Sequence, residues 1–137
     1  MRGAFTVFLA LLAAVMLTGM GSLGGTQEGT VPKTKENIKA QIVDRSGVST
    51  DLTKFSLAGE VFIEGRRGDG HMSVFFRDLK EISFGPVSGN DVPADLFLKS
   101  GSRLQLKLNK GVIFYGDSGY GAYRIAAGDI NRIIFPK

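Results

Sequence analysis

DLTKFSLAGEVFIEGRRGDGHMSVFFRDLKEISF, residues 51–84, aligns without a gap on SRLQLKLNKGVIFYGDSGYGAYRIAAGDINRIIF, residues 102–135. The offset is 51, and eight of the 34 aligned positions are identical: Leu57/Leu108, Val61/Val112, Gly65/Gly116, Gly68/Gly119, Gly70/Gly121, Asp78/Asp129, Ile82/Ile133 and Phe84/Phe135. Average residue usage gives roughly two or three by chance. Most of the rest exchange like for like, as in Ile63/Phe114 and Val74/Ile125. A unit of this length that recurs at a fixed period implies a duplicated architecture.

Within each unit the apolar residues alternate with polar ones. Leu104, Leu106 and Leu108 point one way while Arg103, Gln105 and Lys107 point the other. Period two is the signature of a half-buried strand. Met72, Val74 and Phe76 alternate in the same way, as do Ile38, Ala40 and Ile42. Glycine-rich stretches at 65–70 and 116–121 separate short apolar runs and read as hairpin turns. The fold class expected is all-β, with two homologous five-strand units, 37–84 and 95–135, joined by 85–94. The two units are expected to pack as one pseudo-twofold β domain over 37–137. Units this short rarely bury enough surface alone, so a shared core or tight mutual packing follows.

The order of strands and turns resembles an SH3-like or Sm-like small barrel. The resemblance is carried by Gly121-x-Tyr123-x-Ile125-x3-Asp129-Ile130-x2-Ile133-x-Phe135 and by its partner, Gly70 to Phe84. It speaks to fold and not to activity.

Residues 1–25 read as a targeting segment. Met1-Arg2 is followed by an apolar run from Ala4 to Leu17 and then by small residues. The segment is a signal peptide, or a signal anchor formed by residues 3–23, which carry no charge. Either way the expectation is export, to a periplasm or the secreted space. A membrane contact is expected only through an uncleaved N-terminal segment. Residues 26–36 are a Gly, Thr, Pro and Lys linker without periodicity.

Charge and composition narrow the partners. After residue 25 there are 16 basic and 13 acidic residues, a balance too mild to argue for nucleic acid. The chain has no cysteine, so an exported domain must stand on burial alone or on self-association. His71 is the one histidine, and a His/Cys zinc site needs three or four ligands. No cofactor is implied. The repeated glycines lack the following helix start that a phosphate loop requires.

Three groups of residues stand out. Asp78 and Asp129 follow strands and open short turns, where they are expected to act as structural caps. The alternative is a carboxylate pair in a small hydrolase. Arg66, Arg67, Arg103, Lys107 and Lys110 are a candidate basic patch for anionic polymers or lipid headgroups, the alternative being an ordinary solvated strand face. The partner expected for the chain is an unknown protein or an anionic envelope polymer. Phe62, Phe75, Ile113 and Ile134 occupy the outward phase of their strands, where polar residues belong. They are expected to mark the contact between units or a partner surface, including that of a homo-oligomer. The resulting expectation is an exported, non-enzymatic binding or assembly module, with a membrane-tethered periplasmic structural protein as the alternative.

Overall fold

The computed structural model describes residues 29–137, and the targeting segment read from residues 1–25 lies outside them. The described chain is all-β. Ten strands run in chain order: β1 Ala40–Asp44, β2 Ser49–Leu57, β3 Phe62–Arg67, β4 Gly70–Phe75, β5 Leu79–Phe84, β6 Asp91–Leu98, β7 Arg103–Asn109, β8 Ile113–Asp117, β9 Ala122–Ala126 and β10 Ile130–Ile134. They form a single antiparallel sheet in the order β4-β3-β7-β6-β5-β10-β1-β2-β8-β9, curled into a half-barrel.

Each turn has a local cause. Between β1 and β2, the Asp44 carboxylate accepts from the amides of Ser46 (2.9 Å) and Val48 (3.0 Å), closing the chain on itself. Between β2 and β3, the Ser56 hydroxyl is fully buried and accepts from the Gly59 amide at 3.0 Å. Two 3-10 turns, Phe76–Asp78 and Ala127–Asp129, lead into β5 and β10.

The segment between units contains more strand than its sequence suggests. Pro93 and Gly89-Asn90 read as breakers, yet β6 begins at Asp91 and pairs with β7 from Asp91↔Asn109 to Phe97↔Arg103. Proline is tolerated because of where its missing amide falls. In a strand the amide and carbonyl of one residue point to the same side. The Pro93 carbonyl accepts from Gly85, one residue past the end of β5, so no ladder bond is lost.

One core serves the whole sheet. Ile42, Phe55, Ile63, Phe76, Leu79, Ile82, Leu96, Leu106, Phe114, Ile130 and Ile133 belong to one cluster and are fully or almost fully buried. Each such side chain contributes about 1.5–3 kcal/mol on leaving water. Phe55 stacks on Phe114 at 5.6 Å between ring centroids and meets Phe76 at 5.0 Å and Phe135 at 5.8 Å. Residues from both of the aligned stretches, 51–84 and 102–135, therefore meet around a single ring.

Backbone closeness fixes two glycines. A Cβ on Gly65 would stand 2.9 Å from the Leu106 Cβ and 3.0 Å from the Lys107 carbonyl. A Cβ on Gly116 would stand 2.8 Å from the Leu52 side chain. Glycine at both positions lets β3 pass β7, and β8 pass β2, at close range.

Candidate functional site

The sheet order brings β3 beside β7, which no contiguous reading of the sequence could place together. Their recorded register pair is Arg66↔Lys107. Arg66, Arg67 and Gly68, at the end of β3 and the start of its turn, join Gln105 and Lys107 of β7 around a cleft of about 260 Å³. Arg66 is held by Asp91 at 2.6 Å. Arg67 donates to the Gln105 carbonyl at 3.2 Å. Gln105 is itself fixed, its amide donating to Asp95 at 3.1 Å. Lys107 makes no ion pair among the described residues. The cleft thus has three cations and one acid at its edge, with three of its side chains, Arg66, Arg67 and Gln105, anchored in place.

Of the five cations expected in a basic patch, Arg66, Arg67 and Lys107 converge. Arg103 lines no part of the cleft; it pairs at 3.3 Å with Asp95, the carboxylate that also holds Gln105, and lies over the Phe97 ring at 5.2 Å. Lys110 lines no part of this cleft, and its backbone ties the β7–β8 turn to Asn90 and Gly128. Gln105 is a cleft residue that the sequence reading passed over. Its signal was present in the alternation that sets Gln105 on the same face as Lys107.

A second, larger cleft of about 570 Å³ lies among β1, β2, the β8–β9 turn and the C-terminal segment. Ala40, Leu52, Ile134 and Pro136 give it an apolar lining, and Asp51 and Asp117 give it carboxylates. Asp51 accepts from the Gln41 amide at 3.1 Å, and Asp117 accepts from the Gly119 amide at 2.8 Å. The sequence reading named neither carboxylate.

Asp78 and Asp129 do not form a pair. Antiparallel β5 and β10 meet at Ile82↔Ile133, which sends the residues preceding each strand to opposite ends of that pair. Nor do their carboxylates open the 3-10 turns. The N-cap positions belong to Phe75 and Ala126, without a capping side chain, and the aspartates come last in each turn. The tie is made by backbone instead. Lys99 donates its amide to the Asp78 carbonyl at 2.9 Å, and Arg45 donates its amide to the Asp129 carbonyl at 3.0 Å. The capping expectation is corrected accordingly.

The four outward apolar residues are not gathered into one contact. Phe62 and Phe75 face each other across the β3–β4 hairpin, with ring centroids 6.1 Å apart, and Arg77 lies over Phe75 at 4.5 Å. Ile113 sits opposite Ala126 at the other end of the sheet order. Ile134 lines the larger cleft. Residues 51–84 and 102–135 meet in the buried core rather than through this set. His71 is exposed on the edge strand β4, opposite Arg66.

Tyr123, half-buried on β9, holds its proton more tightly than an ordinary phenol. Burial raises its pKa from 10.0, the nearby Asp44 charge raises it further, and a hydrogen bond with Thr50 works against both.

A β sheet of this order, with a basic cleft and a carboxylate-bearing cleft, defines the fold to which the sequence comparisons attach. The chain belongs to a family described as an uncharacterised protein, whose profile matches residues 34–137 and so takes in all ten strands. It is 27% identical over 109 residues to an uncharacterised protein of Aquifex aeolicus (strain VF5), spanning 80% of this chain and 82% of that relative. No solved structure matches it.

Proposed function

We propose that the chain is an exported, non-enzymatic β domain that acts as a binding or assembly module of the cell envelope or secreted space. Its contact point is the cleft of Arg66, Arg67 and Lys107, which takes an anionic group presented by the partner. The carrying observation is the Arg66↔Lys107 pair. Like charges placed directly opposite destabilise an antiparallel pair. Asp91 offsets one of the cations, leaving Arg67 and Lys107 in excess. A carboxylate or phosphate seated there turns the repulsion into charge-assisted hydrogen bonds. Export rests on the apolar run of residues 4–17 behind Arg2.

The architecture is read as two copies of one unit that exchange strands. Three kinds of support converge. Swapping β1 for β6, β2 for β7, β3 for β8, β4 for β9 and β5 for β10 leaves the sheet order unchanged when read from the other end. The group β4-β3-β7-β6-β5 then has the fourth-third-second-first-fifth order of an SH3-like small barrel, as does β9-β8-β2-β1-β10. Each takes its first two strands from one repeat and its last three from the other. The hydrogen-bond register also corrects the alignment. From β3 onward the offset of 51 stands, but in β1 and early β2 it is 54, matching Ala40 with Ala94, Ile42 with Leu96 and Leu52 with Leu106. The extra residues of the first repeat fall near Lys54 and Ala58, both at φ 52.

On this alignment the two clefts occupy equivalent places. Arg66 stands where the other repeat has Asp117, and Lys107 where it has Thr53. Duplication has left one scaffold and two opposite electrostatic characters.

The test compares binding of a soluble polyphosphate by the full chain and by its Arg67→Glu/Lys107→Glu variant. Both side chains lie at the surface, so folding should be retained. Affinity should fall at least tenfold in the variant, and binding by the unaltered chain should weaken with added salt. Equal affinity for both proteins would contradict the reading.

A further inference from the structure

We propose that the occupant of the basic cleft is a second copy of this chain, which inserts the tip of its β8–β9 hairpin, so that copies assemble head to tail. The inference rests on the cleft taking anionic groups and names the one it takes.

The hairpin tip runs Asp117-Ser118-Gly119-Tyr120-Gly121. Tyr120 is 99% exposed, the most exposed large hydrophobic side chain of the described residues. Asp117 lies in the same tip and makes no ion pair among the described residues. The receiving cleft offers Lys107, likewise without an ion pair, and Arg67, whose one guanidinium hydrogen bond goes to a backbone carbonyl. A carboxylate meets two cations there. An aromatic ring beside it meets a guanidinium, an attractive pairing even at partly exposed sites. Tyrosine and arginine are also the residue types most often found at the centres of protein contacts.

The fold fixes the geometry of such an assembly. The β3–β4 hairpin lies at one end of the sheet order and the β8–β9 hairpin at the other. The aligned tips differ where charge matters, Arg66 against Asp117, Arg67 against Ser118 and Asp69 against Tyr120. A symmetric contact would set like hairpin against like, bringing together two tips that each carry two arginines and one aspartate. Pairing the unlike hairpins joins opposite charges and uses a different surface on each copy. That contact is heterologous, and it propagates into an open chain or closes as a ring.

The test exploits the absence of cysteine from the sequence. Full-length Gln105→Cys/Tyr120→Cys protein is mildly oxidised and separated without reductant. Disulfide-linked dimers, trimers and higher species are expected. Adding Lys107→Glu should reduce them at least tenfold, while the thermal melting of the protein is not lowered, since the change removes a like-charge pair. Absence of linked species overturns the proposal. So does a ladder that Lys107→Glu leaves intact, or linkage by Tyr120→Cys alone that equals the double variant. Binding of polyphosphate is measured on the same reduced protein. Probe binding without a ladder overturns self-association and leaves the anionic cleft standing. Loss of both overturns both.

Discussion

Arg66 and Lys107 face each other across the β3–β7 pair, two cations where a solvated sheet face would mix signs. Among the described residues, Asp91, bound to Arg66, is the one carboxylate ion-paired with either of them. The arrangement is tolerable because all these groups reach water, where a surface pair is worth about 0–1 kcal/mol in either direction. Its cost is small, and its consequence is a local positive field where β3 meets β7.

The core predicts one cooperative unit. Phe55 is fully buried and touches Phe76 of its own repeat and Phe114 and Phe135 of the other. Phe55→Ala should cost about 3–5 kcal/mol, as loss of a buried phenyl does. Urea unfolding followed by two spectroscopic probes should remain a single transition for the unaltered chain. Two separated transitions would mean that the repeats fold independently.

Gly65→Ala and Gly116→Ala should each destabilise by about 1–3 kcal/mol through overpacking. Neither residue has positive φ, so the cost comes from the close neighbours Leu106 and Lys107 in one case and Leu52 in the other. Gly68→Ala meets no atom within 4 Å, but its φ of +60° strains any side chain. Thermal melts of the three variants check these costs. In a Leu106→Ala background the Gly65→Ala penalty should persist, because the Leu106 Cβ and the Lys107 carbonyl that crowd the new methyl both remain.

Asp78→Ala and Asp129→Ala should be nearly neutral, within about 0.5 kcal/mol, because backbone carbonyls make the ties at these turns. Arg45→Ala should cost more, on the order of 1 kcal/mol. Its guanidinium donates to the carbonyls of Phe84 and Gly85, joining the β1–β2 turn to the segment after β5. Chemical denaturation of the three variants checks the ranking, and a large loss for either aspartate would restore a capping role.

Tyr123 predicts an alkaline limb in the stability profile. Burial, aided by Asp44, raises its folded-state pKa above 10.0. The folded state then holds the phenolic proton after the unfolded state has released it. The associated stability is fully present below the unfolded pKa and is lost as pH rises through the folded one. Tyr123→Phe should flatten the limb above pH 10 in a pH series of thermal melts. An unchanged limb would show that another group controls it.

Strand identity was largely legible in the sequence because burial on one face imposes period two. Leu104, Leu106 and Leu108 announced β7 in this way, and the glycine stretches announced both hairpins. Strand order was not legible. Nothing local tells β3 to pair with β7 rather than with β2, since both neighbours offer the same alternating face. That pairing created the basic cleft, so the five cations could be named as a patch while the subset that lines the cleft, Arg66, Arg67 and Lys107, could not be picked out. Asp51 and Asp117 escaped notice for the same reason. They lie in strands far apart in sequence that the sheet makes neighbours.

The apolar outward residues carry a related lesson. Phe62 and Phe75 satisfy one another as a cross-strand aromatic pair, a local solution that an inward-outward count cannot anticipate. Phe75 stays 44% exposed and is partly covered by Arg77.

The most direct measurement of the central claim is an amide chemical-shift titration of the protein with polyphosphate. Binding at the basic cleft predicts that the largest changes fall on residues 66–68 and 105–107, and that Lys107→Glu removes them. Changes centred instead on β1, β2 and the β8–β9 turn, or none at residues 66–68, would contradict the account.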